Sequence, residues 1–230
     1  MFLQDVSLSM EETKKKTTRN KVDNAKKIIE SYMDYVLTHG HRPPSVFQFM
    51  KGLKLREDKF YDHFGSFNTL EKEIWRSFLR ETITVLDNDE SFNTYSAREK
   101  LLAFYFTLVE VLRNERSYVA YSFGEIKRPE LTPSFLKGFR DDFLTFVQGI
   151  LNEGMSTEEI IQRPVLADRY KDGLWLQLIF VINFWLKDES KKFVATDAAI
   201  EKSVNLSFEL MGRGPLDAMI DFAKFLYHNR

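Results

Sequence analysis

Two stretches decide the fold: IIESYMDYVLTHGHRPPSV, residues 28–46, and LREDKFYDHFGSFNTLEKEIW, residues 55–75. In the first, Ile28, Ile29, Tyr32, Tyr35 and Val36 recur at spacings of three and four, with Ala25 one turn earlier. That spacing lays one apolar stripe along a helix predicted over 22–39. Gly40 follows at once, able to take a left-handed conformation without a Cβ penalty. Pro43 and Pro44 then forbid continuation. Ser45 is a side-chain cap for a short helix over 46–53. After a tight turn a second short helix is predicted over 56–64, broken by Gly65-Ser66. A fourth helix begins near Asn68 or Thr69, with Thr69, Lys72 and Glu73 as an imperfect cap, and runs to about residue 86. Two short helices joined by a tight turn describe a helix-turn-helix, whose second helix is built to enter a major groove.

Charge supports that reading. Between Lys14 and Arg80 there are 15 Lys/Arg against 8 Asp/Glu, whereas from residue 81 onward there are 18 against 23. The net charge of the whole chain is -1, so a basic head sits on an acidic body. Such a head suits a polyanion. Residues 1–19 end in TKKKTTR and read as a mobile basic arm, either tracking phosphates or acting only as a solubilising tail.

Outward from the head, DNDESFNTYS at 87–96 reads as a loop and the candidate boundary between a head at 20–86 and a body at 96–230. The body reads as helical throughout, over 97–113, 117–123, 134–154, 155–162, 167–187, 195–211 and 216–227. No stretch alternates with period two for long enough to make a strand. The expected fold class is all-α, with about nine to ten helices in a three-helix head and a larger helical bundle.

The two opening stretches resemble the TetR family of transcriptional regulators. In that family a first helix ends in Gly, a Ser/Thr-Val pair opens the second, and an aromatic-Tyr-x-His-Phe segment closes the third. Here these are Gly40, Ser45-Val46 and Phe60-Tyr61-Asp62-His63-Phe64. The resemblance covers residues 20–80. It implies that Phe60 and Phe64 plug the head core and that Tyr61 and His63 face phosphate. Arg56 and Lys59 stand where family members usually carry a small polar residue that contacts the DNA backbone, and Lys51 is a further candidate DNA contact. Departures run the other way. Met50 stands where a small residue is usual, Lys54 where Gly is usual, and Phe67 where a basic residue is usual. Glu57 and Asp58 put acids at the start of the recognition helix. Two readings stay open: a DNA-binding, ligand-responsive regulator, and a TetR-fold lipid or isoprenoid carrier that does not bind DNA.

Aromatic residues make up 14% of the chain, including 21 Phe. Phe104, Tyr105, Leu108, Tyr121, Phe139, Phe143, Trp175 and Phe180 are candidates to line an apolar pocket for a small molecule or lipid. The alternative for the same residues is a close-packed aromatic core. The segment 174–186, LWLQLIFVINFWL, is apolar on nearly every face. It is too short to span a bilayer, so it is expected to be buried on all sides, partly against a second copy. Phe184, Trp185, Ala195 and Ala199 are the candidate dimer contacts, and the resemblance implies a four-helix homodimer interface there. There are no cysteines, which removes disulfides and Cys-based zinc sites. No signal peptide is visible, and the expected location is the cytoplasm. No phosphate-binding glycine loop, HExxH or GxSxG occurs. Neither a cofactor, nor a metal, nor an enzymatic activity is expected.

Overall fold

A computed structural model describes residues 24–126, 130, 132–163, 166–212 and 214–228. The arm at 1–19 and the expected first residues of the first helix lie outside them. Among the described residues the chain forms ten α-helices and no strand.

The first helix, α1, covers 24–39 and buries Ile28, Tyr32 and Val36 completely. Gly40 ends it at φ +73°, donating its N–H to the Val36 carbonyl at 2.9 Å. The Ser45 Oγ accepts from the Gln48 N–H at 3.2 Å and opens α2, Val46–Gly52. Lys54 sits at φ +56°, a conformation that costs a non-glycine residue roughly 1–2 kcal/mol. The turn is closed by the Leu55 N–H bonding to the Met50 carbonyl at 3.0 Å. The next helix, α3, is only Asp58–Tyr61, shorter than the expected 56–64. Around it the bonds are mostly of the tighter i to i+3 kind, such as Phe60 to Glu57 and His63 to Phe60. Ser66, and not Thr69, caps α4, Phe67–Asp87: its Oγ accepts from the Thr69 N–H at 3.3 Å. A cap accepts from the third helical residue, so the helix begins earlier than the Thr69 reading placed it.

The expected loop over 87–96 contains a turn of 3₁₀ helix, Glu90–Thr94, with Phe92 tucked into the core. Ser96 and Glu99 then form a reciprocal capping box at the start of α5, Ala97–Asn114. The rest of the body is α6 (Arg116–Gly124), α7 (Lys137–Ser156), α8 (Ala167–Lys187), α9 (Val194–Met211) and α10 (Pro215–His228). Helix α4 packs on α5 and α7, α8 lies between α7 and α9, and α9 returns to α5. One hydrophobic core runs from Ile28 of α1 to Met211 of α9.

The short helix expected at 155–162 does not form. Glu158 turns the chain at φ +60°, and the Ile160 N–H reaches back to the Gly154 carbonyl at 2.9 Å. A Cβ on Gly154 would meet the Ile160 side chain at 2.7 Å, so glycine here leaves Ile160 the space it fills. The turn delivers the Glu159 carboxylate to the start of α5, where it accepts from the Ala97 and Arg98 N–H groups at 2.9 and 3.1 Å. A carboxylate on otherwise unsatisfied N–H groups at a helix N-terminus is stabilising. Segments 62 residues apart are joined in this way.

Candidate nucleic-acid interface and protomer face

The head core is aromatic. Phe60 is fully buried and Phe64 nearly so, which anchors α3 by its inner side. Phe67 stacks on Tyr32 with ring centroids 5.3 Å apart and meets Phe49 and Phe60 edge-on. Position 67 therefore serves packing instead of phosphate contact. Met50 is fully buried as well, filling space between α2 and its neighbours. The Glu71 carboxylate accepts from the Tyr32 hydroxyl and from the Arg42 guanidinium, whose Nε lies 2.7 Å away. This ties α1, the loop before α2 and α4 together. Burial and the neighbouring Glu71 push the Tyr32 hydroxyl far above its usual pKa, so it stays a donor.

The outer side of α3 carries the candidate contacts, and they are engaged with one another. Arg56 donates twice to Asp58, at 3.0 and 2.8 Å. Lys59 donates to Asp62 at 2.9 Å, a partner that raises the lysine pKa and keeps it charged. The Tyr61 hydroxyl, on a half-exposed ring, donates to Glu57 at 3.3 Å. Glu57 makes no side-chain cap on α3. Within 56–62 there are two cations and three carboxylates, so this surface is locally neutralised. Lys51 stands apart on α2, exposed, with its ammonium 6.0 Å from the Phe47 ring. His63 is half-buried against Phe64, and its Nε2 is buried with no hydrogen-bond partner. The sequence alone did not reveal these pairings, although Arg56 and Asp58 at i, i+2 and Lys59 and Asp62 at i, i+3 were there to be read.

The aromatic residues of the body are packed on one another. Phe104, Tyr105, Leu108, Phe139 and Phe143 are fully buried, and Trp175 is nearly so. Phe104 lies 5.5 Å from Phe143, which lies 6.0 Å from Trp175. The Tyr105 hydroxyl donates to the Leu174 carbonyl at 3.2 Å. Tyr121 is half-buried near Tyr118. Sequence reasoning missed Trp75, which sits among Phe78, Phe123, Phe135 and Phe139 with its indole N–H buried and unpartnered.

Two assignments along α8 change. Phe180 is not part of that core; it is 47% exposed. Trp185 is not on the surface; it is fully buried, with the Arg116 guanidinium 5.5 Å from its ring and Phe193 beside it. Helical spacing explains both. Leu174, Leu178, Val181, Ile182 and Trp185 make the inward stripe, and Leu176, Phe180 and Phe184, four apart, make the outward one. With Ala195, Ala198, Ala199 and Leu206 of α9, the outward stripe lines an apolar groove of about 780 Å³. Gln177 links the two helices, donating to Ser203 and accepting from Ser207.

A chain with this head and this order of body helices has known counterparts. Residues 100–226, more than half of the chain, match the family model described as tetracyclin repressor-like, C-terminal domain. The chain belongs to the TetR family. Two solved structures share its fold. One is a TetR family transcriptional regulator, PfmR, from Thermus thermophilus, at 17% identity and a TM-score of 0.51, covering 82% of this chain and 99% of the other. The second, a protein of unknown function from Rhodococcus sp. RHA1, has 14% identity and a TM-score of 0.53, covering 83% and 96%. None of the curated proteins matches this sequence. Among the described residues of this TetR family chain, no helix is long and apolar enough to cross a membrane.

Proposed function

We propose that this protein is a homodimeric, ligand-responsive regulator of transcription in the cytoplasm, using the head at 20–86 for DNA and the body at 96–230 for dimerisation and an apolar effector. The observation that carries this reading is the presentation of α3. Phe60 and Phe64 fix the helix from inside, while Arg56, Lys59 and Tyr61 project outward. Lys51 on α2 adds a further cation, and His63 lies at the end of the same segment. A TetR family body behind such a head supports pairing two heads on a palindromic site. The groove lined by Phe180, Phe184, Ala195 and Ala199 is the face we assign to the partner copy.

For the effector, the aromatic centre of the body favours an apolar molecule or lipid, which would enter by separating rings now in contact. Its binding would act only through unequal affinity for two arrangements of the heads.

The second reading, a carrier without DNA function, is favoured by the internal pairing on α3, where each of Arg56, Lys59 and Tyr61 already has a carboxylate partner. A selection from random duplexes separates the two. Enrichment of a palindrome supports the regulator. Failure to enrich any sequence, with and without hydrophobic compounds extracted from the purified protein, overturns it in favour of the carrier.

A further inference from the structure

A cleft separate from the aromatic centre and from the α8–α9 groove opens between head and body. Its floor is apolar: Ile29 and Met33 of α1, Phe64, Phe78 of α4 and Val111 of α5. Its volume is about 600 Å³, inside the range of roughly 300–1,000 Å³ usual for small-molecule sites. Its rim is acidic, carrying Glu30, Glu73, Glu81 and Glu115 against Lys26 and Arg80. Arg80 is paired with Glu73 at 2.7 Å, and Lys26 lies on the solvent side of the rim, 3.7 Å from Glu30. Glu81 and Glu115 have no cationic partner among the described residues. Burial, and then the charges of Asp34, Glu30 and Glu81, push the Glu115 carboxyl above its usual range. An apolar floor beneath uncompensated carboxylates is complementary to one kind of molecule.

We infer that the cleft between α1 and α4–α5 binds an amphipathic organic cation, its apolar body on Met33, Phe64 and Phe78 and its charge between Glu81 and Glu115. The carboxylates are spread along the rim and do not converge, which suits a large, diffuse cation better than a metal ion. Because α1 and Phe64 belong to the head and Val111 to the body, the occupant touches both and favours one arrangement of the two. The site is independent of whether the head binds DNA.

The test uses the full chain and two probes of matched size and opposite charge, tetraphenylphosphonium and tetraphenylborate. Calorimetric titration is expected to show binding of the cation and none of the anion. Glu81→Gln with Glu115→Gln is expected to weaken the cation about tenfold without lowering the melting temperature of the free protein. Ser77→Lys, which puts a positive charge on the cleft wall, is expected to weaken it by a similar factor. Equal affinity for the two probes overturns the inference. So does cation binding that neither the double substitution nor Ser77→Lys changes, since that places the cation elsewhere in the body.

Discussion

Arg76 of α4 donates two hydrogen bonds to Asp142 of α7, at 2.7 and 3.0 Å, and passes over Gly138 to reach it. A Cβ on Gly138 would meet the Arg76 Cδ at 2.7 Å. The helix that ends the head is thus clipped to the body at a point that a methyl group would disturb. The pair is part exposed, so its strength is limited by solvent. A double-mutant cycle with Arg76→Ala and Asp142→Ala is expected to give a coupling of about 1 kcal/mol. Gly138→Ala alone is expected to remove most of that coupling. A cycle that shows no coupling would mean that the two-pronged contact is not kept in solution.

Substitutions along α8 should separate face from core. Phe180→Glu or Phe184→Glu is expected to leave helical content intact and to yield monomers in sedimentation at micromolar concentration. Trp185→Ala is expected to lose about 3–5 kcal/mol in denaturant unfolding, because Trp185 is fully enclosed within one chain. A Phe184→Glu protein that stays dimeric would remove the assignment of this groove to a partner copy.

The ion pairs on α3 give a directional expectation for DNA. Glu57→Gln with Asp58→Asn frees Tyr61 and Arg56 and removes two charges that repel phosphate. Binding to all duplexes should therefore tighten. Lys59→Ala should weaken binding regardless of sequence and flatten the slope of log affinity against log salt by about one phosphate contact. Titrations at several salt concentrations check both. A double neutralisation with no effect would mean that these side chains do not face the duplex.

Asp188 gives a pH dependence. Its carboxylate accepts from the segment that opens α9: the Ser190 and Thr196 N–H groups at 2.8 Å each, and the Thr196 hydroxyl at 2.6 Å. These bonds, first those of Ser190 and then those of Thr196, lower its pKa from 3.8 to about 2. The folded value lies below the unfolded one. The stabilisation is therefore complete above about pH 4 and is lost as the pH falls through about 2. The difference in melting temperature between the parent and Asp188→Asn should hold from pH 7 to 5 and shrink below 4. A difference that does not change over that range would assign the effect to packing instead of charge.

Much of the fold was legible because local signals agreed with one another. The stripe from Ile28 to Val36, Gly40 and the Ser45 cap placed the end of α1 and both ends of α2 within a residue, and helical spacing found most of the body helices. The 155–162 segment failed because its outcome is not local. Glu158 is turned out of the helix by Ile160 seeking the core at Gly154 and by Glu159 reaching a helix start 62 residues away. Trp185 lies inward and Phe180 outward for a similar reason. A helix apolar on nearly every face does not say which side meets its own core.

What the sequence by itself determined is most of the helices, the head motif and family, and the identity of the charged groups carried on the head. Periodicity, caps and charge composition act over a few residues, so they are written in order along the chain. What only the tertiary structure decided is how those groups are spent. Arg56 and Lys59 are cations in any conformation, but their pairing with Asp58 and Asp62 depends on the turn at Lys54 and the brevity of α3. Phe67 faces Tyr32 and not a phosphate because α4 begins at Ser66. The acidic cleft arises only when α1 is laid against α4 and α5. Each of these depends on distances between side chains that the linear order leaves open, and folding settles them by filling the core first and placing the charges in the space that remains.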